Sequence, residues 1–310
     1  MSPLHIDLRP SSLNDIYGND SIKTSLESIF SRKKDFPHAY LFTGPSGCGK
    51  TTFGRIIASL LQCGEDDLSE YNVANMRGID TVREIDQYCR YAPSSGKVKV
   101  YILDEIHRVT IDFMNALLKL LEDAPSHVYF ILATTEPEKL LPTIHTRCST
   151  YQVKPLLNTT MKQFLSDIVI GEGINDFPVK VIDKIIQASE GSPRQALVIL
   201  DQVIDIVDED AALNAISSFI PEDIRELKEV YQILLEKSSP DKWDRIRATI
   251  KAIDLEPEKV RRATLGYFSA VLLNSKGNDK AAEILGCFID TWFHTGKSGM
   301  IRSFYYSAKL

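Results

Sequence analysis

No C-x-x-C pair occurs in this chain, and its five cysteines (Cys48, Cys63, Cys89, Cys148, Cys287) are odd in number and far apart. That spacing excludes a disulfide-stapled scaffold and a C-x-x-C redox motif, and it points to a reducing compartment. No run approaches the ~18 consecutive apolar residues of a membrane span. The opening MSPLHIDLRPSS lacks the apolar stretch of a secretory signal, so the expected location is the cytoplasm, the host's if the source is viral, with no membrane partner. Glycine (16) and proline (14) are too few across 310 residues for a low-complexity chain. Basic residues are not in excess either: 36 Lys and Arg stand against 42 Asp and Glu, a net charge of -6. Any contact with nucleic acid must therefore come from a local patch.

What is present is an alternation. Apolar runs at 39–42, 98–103 and 128–133 are short and rich in β-branched or aromatic residues, the pattern of strands buried on both faces of a parallel sheet. Helical stripes separate them, such as Phe113, Met114, Leu117, Leu118 and Leu121. Strand–helix alternation reads as α/β with right-handed crossovers. Past Pro155 the strand signal ends. The segments 179–188 and 193–207, joined by Glu190-Gly191-Ser192, read as a helical lid too small to stand alone. Further amphipathic helices follow the acidic stretch 208–210, with Ile224, Leu227, Val230, Tyr231 and Leu234 on one stripe and Trp243, Ile246, Ile250 and Ile253 on another.

Gly44-Pro45-Ser46-Gly47-Cys48-Gly49-Lys50-Thr51 follows the first strand and leads into the helical pattern 53–61. This is the whole G-x-x-x-x-G-K-[ST] phosphate loop in the strand–loop–helix context the motif requires. Its backbone N–H groups and the helix N-terminus, with Thr52 in the first turn, face the phosphates; Lys50 reaches the β/γ-oxygens and Thr51 offers a hydroxyl to Mg²⁺. The strand 100–103 then delivers Asp104 and Glu105 to the carboxyl edge of the sheet, where open α/β folds bind ligands. Asp104 suits Mg²⁺ and Glu105 suits polarising the attacking water, which implies a nucleotide site with Mg²⁺. Thr134-Thr135 leave the strand 129–133, and a hydroxyl there, Thr135 in preference to Thr134, is placed to contact the γ-phosphate or hold the water. A plain strand end is the competing reading.

Together these stretches resemble the AAA+ ATPase subunits of sliding-clamp loaders over residues 7–206. Arg9-Pro10 with Asp15-Ile16-Tyr17-Gly18 resembles the family's opening segment, whose Arg9, Pro10, Ile16 and Tyr17 positions lie against the adenine. Arg77-Gly78-Ile79-Asp80-Thr81-Val82-Arg83 is similar to a stretch of replication factor C small subunits. Tyr91-Ala92-Pro93, Asp104-Glu105-Ile106-His107, Asn115-Ala116-Leu117-Leu118-Lys119 and Leu132-Ala133-Thr134-Thr135 resemble the bacterial DNA polymerase III gamma/tau subunit more closely. The resemblance implies an AAA+ core (1–157), a helical lid (158–206) and an all-α collar or oligomerisation domain (207–310).

It also implies roles for two arginines. Arg147, in Thr146-Arg147-Cys148, would complete the ATP site of a neighbouring subunit, at the end of a loop spanning 136–146. Arg194, in Gly191-Ser192-Pro193-Arg194, would touch the nucleotide of its own subunit. A guanidinium supplied in trans is worth about 10³–10⁵ in rate in other phosphate-loop enzymes. Arg77, Arg83, Arg108 and Thr110 lie where helices start after strands and suit contacts to a DNA backbone. Asp80, Glu84 and Asp86 among them leave an ordinary solvated face as the competing reading. The implied partners are a sliding clamp, primer–template DNA and other loader subunits in a pentameric ring. The four-cysteine zinc module of the gamma/tau subunit has no counterpart, because only Cys63 and Cys89 lie between the phosphate loop and the acid pair, so no zinc is expected. In this compactness the layout is closer to archaeal or phage loader subunits. A DNA-translocating AAA+ motor, such as a branch-migration helicase, and a structural loader subunit with a decayed site are the alternative functions.

Overall fold

The computed structural model describes residues 3–32, 35–73, 79–174, 176–217, 219, 222–236, 239–252, 256–275, 277–292 and 295–310. They form two compact units that divide after Ser217. The first is built on a five-stranded, wholly parallel sheet of β1 (Ala39–Thr43), β2 (Leu68–Asn72), β3 (Lys99–Asp104), β4 (Val128–Thr134) and β5 (Ser149–Gln152), in the order β2-β3-β4-β1-β5. The three apolar runs of the sequence are the three central strands. The two edge strands, LSEYN and STYQ, were not expected, because an edge strand is half exposed and needs no continuous apolar run.

The side-chain period of two divides the central strands between two cores. Leu41, Tyr101, Leu103, Phe130 and Leu132 point to one face, where they meet Phe113, Met114 and Leu117. Tyr40, Phe42, Val100, Ile102 and Ile131 point to the other, against Phe53, Ile56 and Ile57. These partners come from α3 (Lys50–Leu60) and α5 (Ile111–Asp123), each of which follows a strand. The other helices up to β5 are α1 (Leu4–Asp7) and α2 (Asp20–Ser31), before β1, and α4 (Ile79–Cys89) and α6 (Pro142–Arg147). Thr110 ends the chain's approach to α5 by accepting a hydrogen bond from the Phe113 N–H at 3.2 Å, an N-cap that fixes where the helix begins. The stretch 136–146, expected as a loop, contains a short 3₁₀ turn (Pro137–Lys139) and most of α6, which begins on Pro142, a residue suited to a first helical turn.

Beyond the sheet come α7 (Asn158–Gly171), α8 (Val179–Ser189), α9 (Pro193–Val203) and α10 (Glu209–Ser217). The turn between α8 and α9 uses left-handed backbone at Glu190 (φ 50°) and Gly191 (φ 79°), and Ser192 caps α9 by accepting from the Gln195 N–H. α9 stops at Val203 rather than at 207, and α10 packs on α8 and α9 within the first unit. The second unit, from Ser218, is wholly helical among its described residues: α11 (Glu222–Leu235), α12 (Lys242–Ala252), α13 (Pro257–Asn274), α14 (Asp279–Gly286) and α15 (Gly296–Lys309). Its core holds Leu227, Val230, Ile246, Phe268, Phe288 and Phe304. A buried Glu258–Arg261 pair satisfies itself there, Arg261 donating also to the Phe288 carbonyl and Glu258 accepting from the Trp292 N–H. Ile253 of the expected α12 stripe lies outside the described residues.

Candidate nucleotide site

The strand order sets the site. β4 lies between β1, which ends in the phosphate loop, and β3, which ends in the acid pair; the register matches Thr43 to Thr134 and Asn72 to Asp104. Three functional segments therefore leave the same carboxyl edge side by side. The loop itself turns back through left-handed glycines, Gly47 at φ 72° and Gly49 at φ 98°, and delivers Lys50 as the first residue of α3. At its start Gly44 (φ 137°) is pressed against the chain after β5, where an added Cβ would stand 2.1 Å from the Val153 carbonyl oxygen.

Lys50 is buried, and its Nζ donates to the carbonyls of Gly44 and Pro45 at 2.9 Å each. Burial pushes its ammonium below the ordinary lysine range, and the carboxylates of Asp104 and Glu105 oppose that shift. Thr51 donates its hydroxyl to Asp104 Oδ2 at 3.1 Å, while Asp104 Oδ1 accepts from the Glu105 N–H at 2.9 Å. A carboxylate paired with a hydroxyl is the hard-oxygen set that suits Mg²⁺ completed by phosphate and water oxygens. Among the described residues no group of three or more His, Cys, Asp and Glu side chains could hold a metal ion. Burial raises the Cys48 thiol above its usual range, which makes it an apolar filler of the loop.

These residues line a cavity of about 250 Å³. Ser46, Gly47, Cys48, Gly49, Lys50, Thr51, Thr52, Asp104 and Glu105 line it, all anticipated from the sequence. So do Arg9, Pro10, Ile16, Tyr17 and Arg194, also anticipated, with Leu8, Leu156, Phe164 and Leu197, which were not. The lining joins charged groups to apolar side chains, as a nucleotide requires. Tyr17 packs edge-on against Phe164 and donates to Asp167 at 2.7 Å; burial first, then that carboxylate, raises the phenol to about 12. Arg9 is lowered by burial and by the neighbouring cations Arg55 and Arg194. With Lys50, Arg9 and Arg194 make a cavity suited to a polyanion. The Arg194 N–H also donates to the Gly47 carbonyl at 3.3 Å, which joins α9 to the phosphate loop.

Other anticipated residues stand outside the cavity lining. Thr135 is half-buried just past β4, whereas the Thr134 hydroxyl is fully buried and engaged by His107 Nδ1 and the Glu136 N–H, both at 3.0 Å. Arg147 ends α6 and pairs with Glu122, its Nε at 2.5 Å, on the approach to the edge strand β5. Arg83 is exposed and pairs with Asp80 at 3.0 Å; Arg108 is exposed, 3.7 Å from Glu105. Arg77 lies outside the described residues. Surface pairs of this kind are worth at most about 1 kcal/mol, so they release an arginine readily to a phosphate.

A model of the family described as DNA polymerase III, delta subunit, matches residues 69–157. The DNA polymerase III subunit gamma/tau of Mycobacterium tuberculosis is 36% identical over 229 residues, covering 65% of this chain and 38% of that protein. Subunit tau of Bacillus subtilis is 36% identical over 217 residues (63% and 38%), and tau of Escherichia coli is 34% identical over 233 residues (68% and 36%). The chain thus spans well under half the length of these relatives. Among solved structures, the Thermotoga maritima RuvB Holliday junction branch migration motor matches with a TM-score of 0.58 and 22% identity, covering 79% of this chain and 85% of that one. That likeness is one of fold: an α/β AAA+ core followed by helices.

Proposed function

We propose that the chain belongs to the AAA+ ATPase subunits of sliding-clamp loaders and that it binds and hydrolyses ATP to load a sliding clamp onto primer–template DNA. The observation that carries the reading is the convergence of Lys50, Thr51, Asp104, Glu105, Arg9 and Arg194 on one cavity that Ile16, Phe164 and Leu197 also line. The likeness to RuvB is at the level of fold and gives no ground for preferring a branch-migration motor. The intact acid pair speaks against a structural subunit with a decayed site.

In this reading the aromatic and aliphatic lining, Ile16, Tyr17, Phe164 and Leu197, receives the adenine. The loop N–H groups and Lys50 hold the β- and γ-phosphates, Lys50 exchanging its carbonyl contacts for phosphate oxygens. Thr51 and Asp104 are the ligands for Mg²⁺; the chemistry that ion supplies is neutralisation of charge on the phosphate oxygens. The Glu105 carboxylate orients the attacking water and accepts its proton, and Thr135, which follows β4, contacts the γ-phosphate or holds that water. Arg194 reports nucleotide to its own lid, residues 158–206. Arg147 leaves Glu122 to serve the site of the next subunit in a pentameric ring, held together by a collar that begins at Ser218, since α10 belongs to the first unit. Arg77, Arg83, Arg108 and Thr110 track the DNA backbone inside that ring, in the cytoplasm.

Nucleotide binding by Lys50→Ala and Glu105→Gln tests the site. Lys50→Ala is expected to lose ATP, since it removes the buried cation, whereas Glu105→Gln retains ATP and does not turn it over. Equal ATP affinity in wild type and Lys50→Ala would overturn the assignment.

A further inference from the structure

The backbone of Glu105 is set, its N–H donating to Asp104 Oδ1 and its carbonyl accepting from the Arg108 N–H, both at 2.9 Å. It takes left-handed φ (59°) immediately after β3, and the direction of its carboxylate is steered by what approaches it. Two donors approach Oε2: His107 Nε2 at 3.4 Å and Arg108 Nε at 3.7 Å. The Arg108 side chain is 55% exposed and its hold is screened by solvent, whereas the His107 side chain is 2% exposed. Of these two, the buried imidazole is the rigid neighbour.

His107 is itself pinned at both ring nitrogens. Nδ1 lies 3.0 Å from Thr134 Oγ1, and Nε2 lies 3.0 Å from Glu136 Oε1 as well as near Glu105. The protons can be assigned from the partners. Ionised carboxylates only accept, so the nitrogen facing two of them, Nε2, carries a hydrogen. In the neutral ring Nδ1 then accepts the Thr134 hydroxyl proton, and the Thr134 oxygen keeps a lone pair for the Glu136 N–H, 3.0 Å away. Every donor has an acceptor. Glu136 is anchored on its far side by Lys139, 2.6 Å from Oε2. A closed circuit therefore runs from the end of β4 through the imidazole to the carboxylate at the end of β3.

We infer that His107 is a positioning residue for ATP hydrolysis, fixing the Glu105 carboxylate through one N–H that Glu136 holds in place. The inference rests on the ATPase reading above. Misplacing a reacting group by about 1 Å can cost on the order of 10²-fold in rate, and ATP binding does not depend on this circuit. The loss therefore falls on turnover and leaves affinity alone.

The test is single-turnover hydrolysis and ATP affinity of the full chain for wild type, Glu105→Gln, His107→Leu, His107→Gln and Glu136→Ala. His107→Leu is expected to hydrolyse at least tenfold more slowly with its ATP Kd within threefold of wild type. His107→Gln restores an amide N–H in place of Nε2 and should recover to within about threefold of the wild-type rate. Glu136→Ala, a change at the protein surface, should slow hydrolysis at least threefold at unchanged Kd, and it decides alone if the His107 variants do not fold. His107→Leu as fast as wild type, His107→Gln no faster than His107→Leu, or Glu136→Ala as fast as wild type overturns the inference while Glu105→Gln remains inactive. A wild type that hydrolyses nothing, or a Glu105→Gln as fast as wild type, overturns the ATPase reading itself and the inference with it.

Discussion

Gly47→Ala places a methyl group where the phosphate loop touches the start of α9. The backbone there is left-handed (φ 72°), and the new Cβ would stand 2.3 Å from Ser192 Oγ and 3.3 Å from Arg194 Cβ. The conformational penalty for an L-residue in that region is about 1 kcal/mol. Relieving the clash turns the Ser192 hydroxyl away from the Gln195 N–H that it caps, and a lost N-cap costs about 1 kcal/mol more. Both costs fall on the arrangement that sets Arg194 over the phosphate loop, so ATP affinity should drop by about 2 kcal/mol, roughly 30-fold. Ser192→Gly removes the obstructing hydroxyl, and glycine at an N-cap costs only a few tenths of a kcal/mol. The double variant should therefore bind ATP better than Gly47→Ala alone, about eightfold below wild type. Calorimetric titration of the four proteins with ATP reads both numbers. If Gly47→Ala binds as wild type, or if the two changes simply add, the loop and α9 do not meet in the nucleotide-bound protein and the reasoning is wrong.

Arg147→Ala should leave ATP binding by the isolated chain unchanged and lower assembly-stimulated turnover at least tenfold, about 1.4 kcal/mol of barrier. Mixing Arg147→Ala with Glu105→Gln subunits should restore activity, because some interfaces then combine an intact arginine with an intact base; co-assembly without recovery would exclude a role in trans. DNA binding should require ATP, fall steeply with salt and ignore sequence, and Arg83→Ala should weaken it on every sequence and lower the salt slope by about 1. Salt-insensitive binding, or a loss confined to one sequence, would move the DNA surface elsewhere.

The central strands, the phosphate loop and the acid pair were legible because each is local in sequence. An apolar run of four to six residues declares a buried strand, and the phosphate loop declares itself through glycines that the backbone needs at Gly47 and Gly49. The edge strands β2 and β5 were not legible, since half of each faces outward and polar residues serve there. Leu8, Leu156, Phe164 and Leu197 reach the cavity from separate segments, and a lone apolar residue carries no mark of which surface it covers. His107 is a different case. It stands within the quoted Asp104–His107 box, yet its connection to Thr134 and Glu136 depends on β4 lying beside β3, a long-range pairing that no local pattern records.

The most direct measurement is the steady-state ATP turnover of this chain, with its loader partners, in the presence and absence of its cognate clamp and primed DNA. A clamp-loader subunit should show low basal turnover that rises at least tenfold only when clamp and primed DNA are both present, with Glu105→Gln abolishing the rise. Turnover indifferent to the clamp, or stimulated equally by DNA lacking a primer–template junction, would contradict the account.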